Sequence, residues 1–139
     1  MTAYYLDASV VLRVVLGQPG ALAEWNQVDV GVSSALMEVE CLRTLDRLRL
    51  AVGMGGEEIA VRREAVYRLA EEMELVTPGA PVLARASQPF PTPLGTLDAV
   101  HLASALLWQE IRQEALVFAT HDRALATAAR ASGLRVVGI

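Results

Sequence analysis

"ALVFAT", residues 115–120, is apolar on both faces of any strand it could form. A strand with one wet face alternates apolar and polar residues, whereas a continuous apolar run of this length belongs inside a sheet covered on both sides. Sheets of that kind are parallel, and parallel neighbours need a crossover of a dozen or more residues, usually a helix. The rest of the chain supplies that rhythm. Residues 3–7 read as a first strand and 8–16 as a helix, stopped by "GQPG", where Gly17, Pro19 and Gly20 break regular structure. A short amphipathic segment over 20–27 leads to Val28, Val30 and Val32, which alternate as a strand does. Ser33 or Ser34 is placed to cap a long helix reaching about residue 51. "GMGG" stops that helix, and 57–73 reads as a second, so 34–73 is a helical hairpin.

"LVTPG" (75–79) reads as a short strand, 80–87 as a short helix and "QPFPTPLGT" (88–96) as a surface loop. A helix over 97–110, with Thr96 as its cap, precedes the 115–120 strand; a helix over 122–132 and a final strand in "LRVVGI" close the chain. This order predicts one α/β domain over 1–139. It has a central parallel sheet of four to five strands, helices on both faces and a protruding helical hairpin. At 139 residues and 53% hydrophobic, the chain is long enough and apolar enough for such a core.

Composition narrows the function classes. The formal charge is −4, and all 12 basic residues are arginine. An acidic balance argues against a general phosphate-coating protein. It leaves room for an enzyme that meets nucleic acid through a local arginine patch and a metal. Cys41 is the single cysteine, so no internal disulfide can form. The N-terminus lacks a basic start and apolar run, and "AVHLASALLW" (99–108) is far short of the roughly 20 residues that span a bilayer. A cytoplasmic location with no membrane contact is expected.

In open α/β sheets, ligands sit beyond the carboxyl ends of the strands. Asp7 ends the first strand, Asp122 follows the "VFAT" strand, and Asp98 lies in the first turn of its helix. Glu40 lies near the start of the long helix after the second strand, and Glu38 points away from it. Each aspartate alone reads as a helix cap, and Glu40 as an i,i+3 partner of Arg43. Together they describe four acids gathered at one end of a sheet. Bare carboxylates so close would repel, and a divalent cation removes that penalty. Oxygen-only ligands suit Mg²⁺ or Mn²⁺; no His/Cys set has zinc spacing. Such a site activates water and neutralises phosphoryl charge, with a carboxylate as general base, so phosphodiester hydrolysis fits.

Four segments in register then resemble a known family: "YLDASVVLRVVL", "SSALMEVECLRTL", "LGTLDAVHLASAL" and "VFATHDRALATAARASGLRVV". They are similar to the PIN-domain ribonucleases, and most of all to VapC-type toxins of bacterial toxin–antitoxin pairs. The resemblance implies that Asp7, Glu40, Asp98 and Asp122 form the catalytic, metal-binding set for Mg²⁺ or Mn²⁺. It makes Ser9 and Thr120 the supporting hydroxyls. It implies RNA as substrate, a small antitoxin as partner and a homodimer, for which the apolar 34–73 hairpin is a candidate surface. One departure is "PLGT" before Asp98, where many relatives carry a basic residue.

Other residues have double readings. Arg43 and Arg13 are candidate contacts for RNA or an antitoxin carboxylate, and Arg123 follows Asp122. His101 sits one turn after Asp98 and could orient it, but a histidine on an apolar helix is more often a packing residue, the reading favoured here. His121 reads as exposed and incidental, and Trp25 and Trp108 as packing rather than base-stacking residues. Two rival functions stand beside the metal-dependent endoribonuclease. One is a catalytically inactive PIN-fold module acting through a protein partner. The other is a phosphatase or phosphoacceptor using Asp7 as nucleophile, disfavoured because Ser9 occupies the place of a second aspartate.

Overall fold

The computed structural model describes all 139 residues. Five parallel strands form one sheet in the order β3-β2-β1-β4-β5. In chain order the elements are β1 (Ala3–Leu6), α1 (Ala8–Val15), a 3₁₀ turn (Trp25–Gln27), β2 (Val30–Ser34), α2 (Leu36–Val52), α3 (Gly56–Glu72) and β3 (Glu74–Val76). There follow α4 (Ala80–Ala86), α5 (Thr96–Arg112), β4 (Leu116–Ala119), α6 (Arg123–Ala131) and β5 (Arg135–Val137). The all-parallel sheet and its crossover helices are those expected from the apolar 115–120 run.

The strand period of two sorts β1 between two layers. Tyr4 and Leu6 pack with buried residues of α1, α2 and α3. Ala3 and Tyr5 face the opposite layer, where Leu102 and Leu106 of α5 meet Leu125 and Ala129 of α6. All four residues of β1 and all four of β4 are buried, which explains why both strands are continuously apolar. The α2–α3 pair forms the expected hairpin. Its turn uses Gly53 at φ 68°, a left-handed cap that favours glycine. Arg62 of α3 donates to the Val15 carbonyl at 2.7 Å, tying the hairpin to the end of α1.

Two boundaries differ from the sequence reading. The second strand lies at Val30–Ser34 and takes in both serines, which pair with Leu75 and Val76 of β3. Their hydroxyls are satisfied inside the fold. Ser33 donates to the Leu6 carbonyl at 2.7 Å, and Ser34 accepts from the Leu36 N–H at 3.1 Å. Ser34 therefore caps α2 from within a strand. The α5 start also departs: Thr96 is helical, Gly95 precedes it, and no side chain caps this end.

Cys41 lies wholly inside the α1–α3 layer. Burial, reinforced by the charges of Glu40, Asp7 and Glu38, pushes its thiol pKa up to about 12. The thiolate is the reactive form. Cys41 should therefore resist an aromatic disulfide reagent at pH 8 in the native protein and react fully in denaturant. Rapid native labelling would contradict this packing.

Candidate active site

β1 and β4 are neighbours at the centre of the sheet, where the strand order changes direction. That switch point opens a crevice at the carboxyl ends of the strands. Asp7 stands on one side of it and Thr120 on the other. The Asp7 N–H donates to the Ala119 carbonyl at 3.1 Å, continuing the ladder one step past β1. Asp7 Oδ1 accepts from the Ala8 N–H at 2.8 Å, the cap of α1. Asp7 Oδ2 accepts from Ser9 Oγ at 2.8 Å and Thr120 Oγ1 at 2.9 Å. The carboxylate is buried and held by three donors.

The two hydroxyls also reach back to the chain after β4. Thr120 Oγ1 accepts from the Asp122 N–H at 3.0 Å, and Ser9 Oγ accepts from the His121 N–H at 3.1 Å. Asp122 then caps α6, its Oδ1 accepting from the Leu125 N–H at 2.9 Å. Its second oxygen has no protein partner.

Asp98 and His101 share one face of α5, three residues apart. Asp98 is half-buried, and no protein group hydrogen-bonds its carboxylate. Burial raises its pKa first, and the charges of Asp122, Asp7 and Glu40 raise it further against the opposing pull of His101. The fourth, Glu40, does not pair with Arg43. Its Oε1 meets His101 Nε2 at 2.5 Å, and the other ring nitrogen, Nδ1, meets the Tyr5 hydroxyl at 2.6 Å. His101 Nε2 also lies 3.9 Å from Asp7 Oδ1. Burial works against a charged His101, but the hydrogen bond to Glu40 and the fields of Asp7, Glu40 and Asp98 outweigh it and raise its pKa.

Asp7, Glu40, Asp98 and Asp122 are thus brought to one end of the sheet, with Ser9 and Thr120 directly on Asp7. No three of these side chains are close enough as they stand to enclose a metal ion. That arrangement still fits a small hard cation. Mg²⁺ keeps several of its waters and needs only one or two direct carboxylates. The free oxygens of Asp98, Asp122 and Glu40 are of that kind. A cleft of about 720 Å³ lies between α4, the 88–96 loop and the start of α5; none of the four acids lines it.

The arginines divide. Arg13 donates to the Gly20 carbonyl at 3.2 Å, closing the turn after α1. Arg43 is exposed on α2 one turn beyond Glu40. His121 is not incidental: its Nδ1 meets the Gly138 carbonyl at 2.7 Å and holds the C-terminal segment beside Thr120. His101 is buried, as expected of a packing residue, but it bonds Glu40 rather than merely filling space. Its spacing placed it one turn after Asp98, but the partner it bonds is Glu40, 61 positions away, which no local pattern signals.

The family model for the PIN domain matches residues 4–131. The chain belongs to the PIN domain family. Two curated relatives from Mycobacterium tuberculosis cover the PIN domain end to end. Ribonuclease VapC46 is 31% identical over 141 residues, covering 99% of this chain and 98% of its own. Ribonuclease VapC47 is 28% identical over 141 residues, covering 96% of this chain and 91% of its own. The crystal structure of PAE2754 from Pyrobaculum aerophilum superposes with a TM-score of 0.60 at 18% identity, over 98% of this chain and 84% of that one. The likeness to it supports the fold.

A PIN domain with four converging acids carries a measurable electrostatic cost. The folded-state pKa of Asp98 is raised, so its contribution to stability is full below the unfolded pKa and is lost as pH rises through the folded value. Asp98→Asn removes that loss. In metal-free protein at pH 7 the variant should melt above wild type, by no more than a few degrees because solvent screens the half-exposed Asp98. The gap should shrink as pH falls toward 4. A lower melting temperature for Asp98→Asn would contradict the repulsion.

Proposed function

We propose that this PIN domain is a metal-dependent endoribonuclease, the toxin of a VapC-type toxin–antitoxin pair. The observation that carries the reading is that Thr120 joins Asp7 to Asp122 while His101, on the helix of Asp98, bonds Glu40 and lies 3.9 Å from Asp7, which supports a single acidic site at the switch point. The full-length likeness to two ribonucleases supports it. Asp7, Glu40, Asp98 and Asp122 would hold Mg²⁺ or Mn²⁺. When bound, the ion supplies a water of lowered pKa and neutralises charge on the phosphoryl oxygens.

The chain's own residues do the rest. Ser9, Thr120 and the Ala8 N–H fix Asp7 with three donors, so its position is set before substrate arrives. Asp98, whose oxygens no protein donor occupies, is fitted to take the proton of the attacking water. The site lies at the open carboxyl ends of the central strands, which suits a polymer entering from the side. Arg43 offers a charge for RNA phosphate or for an antitoxin carboxylate.

The antitoxin and a second copy of the chain are the expected partners, in the cytoplasm. No helix is long and apolar enough to cross a membrane. Val39, Leu50, Val52 and Val61 leave apolar area exposed on the α2–α3 hairpin, as an interface would require. RNA cleavage should need Mg²⁺ or Mn²⁺ and stop with EDTA. Asp7→Asn and Asp98→Asn should each lower the rate by about 10²-fold or more. Retained cleavage in both variants would sink the assignment; Mn²⁺ binding without cleavage of any RNA would favour the inactive binding module.

A further inference from the structure

Glu40 differs from the other acids in what holds it. Asp7 and Asp122 sit on short side chains, each held by a backbone N–H of the helix it caps, and Asp7 by the Ser9 and Thr120 hydroxyls as well. Glu40 has a longer, three-rotor side chain and is partly exposed, with 24% of its side chain open. Left alone it would sample many rotamers and swing away from three like charges. Its one protein partner is His101, which is fully buried and bonded at both ring nitrogens.

The chain Tyr5–His101–Glu40 joins three elements. Tyr5 comes from β1, His101 from α5 and Glu40 from α2. Tyr5 and α5 belong to one packing layer, whereas α2 belongs to the other. The imidazole thus reaches past the strand ends to grip an acid carried by the opposite layer. Its direction is settled by chemistry. An ionised carboxylate only accepts, so Nε2 must be the donor to Glu40. The Tyr5 hydroxyl can donate to Nδ1 or accept from it, so the chain survives either state of the ring. Tyr5 is itself immobile, buried and stacked on Phe118 at 5.0 Å between ring centroids.

We propose that His101, backed by Tyr5, is a positioning residue that presents the Glu40 carboxylate to the metal. The inference rests on the nuclease reading for its consequence; the hydrogen-bond chain can be tested without metal or RNA. Glu40 keeps one oxygen for His101 and leaves the other free. This is the arrangement by which a ligand's hydrogen-bond partner fixes its orientation, and removing such a partner typically costs 10–100-fold in metal affinity or activity.

Three variants separate positioning from packing. His101→Leu fills much of the same space without a donor. His101→Gln retains an N–H that can reach Glu40. Tyr5→Phe keeps the ring against Phe118 and removes only the hydroxyl. Mn²⁺ affinity, read by electron paramagnetic resonance, should fall about 10–100-fold in His101→Leu and largely return in His101→Gln. Tyr5→Phe should lie between wild type and His101→Leu, and it serves as the test should His101→Leu not fold. Adding His101→Leu to Glu40→Gln should cost nothing further, because the two act as one unit. In metal-free protein, a protected histidine Nε2–H resonance should be present and should move in Glu40→Gln.

Unchanged Mn²⁺ affinity in His101→Leu overturns the proposal and leaves the nuclease reading standing. So does additivity with Glu40→Gln, or an Nε2–H resonance indifferent to Glu40. A wild-type protein that binds no Mn²⁺ and cleaves no RNA overturns the nuclease reading itself, and with it any role of His101 toward a metal.

Discussion

Everything at the strand ends depends on the bond between Thr120 and Asp7. It spans 113 positions of sequence and crosses the seam between the two central strands. An ionised carboxylate that is buried costs several kcal/mol unless its oxygens are satisfied. Asp7 satisfies them with its own helix N-terminus, a serine two residues on and a threonine just past the neighbouring strand β4. The threonine answers two needs at once, since its oxygen also accepts from the Asp122 N–H. One hydroxyl therefore fixes the relative positions of two acids on different elements.

The same seam constrains the C-terminus. Gly138 has φ +104°, and a Cβ there would sit 2.5 Å from the Thr120 carbonyl oxygen. The tail passes too close for any side chain. His121 then holds it by the Gly138 carbonyl while giving its own N–H to Ser9. The hydroxyls that support Asp7 are thus braced by a segment that contributes no acid to the site.

The parallel architecture was legible because burial on both faces leaves a mark in a short window. β4 is four apolar residues with no polar face to display. The positions of Asp7 and Asp122 were legible because each stands where a strand ends and a helix begins, and that of Asp98 because it lies in the first turn of its helix. The second strand was placed two residues early because a buried serine satisfied by tertiary contacts is locally the same as a cap; Ser33 is the former, and Ser34 lies in β2 while still accepting from the Leu36 N–H. His101 was underrated for a related reason. Its partners lie 61 and 96 positions away, and an imidazole on an apolar helix has the same neighbours in sequence whether it packs or bridges.

The carboxylates are not equivalent, and the differences follow from what each is bonded to. Asp7 has both oxygens engaged and is the fixed point of the cluster. Asp122 has one oxygen committed to α6. Glu40 has one committed to His101, and Asp98 has none. The number of free oxygens rises as the side chain's attachment to the protein weakens. A cation arriving here would complete a set of half-satisfied acids instead of displacing hydrogen bonds that hold the fold. The Asp7 frame forms without it, because its donors are all protein groups. Asp98 has no protein donor, and burial first, then the charges of Asp122, Asp7 and Glu40, raise its pKa. A fold that stands alone and a site that is strained alone are therefore compatible. Hydrogen bonds hold the first in place, and the cation would relieve the second.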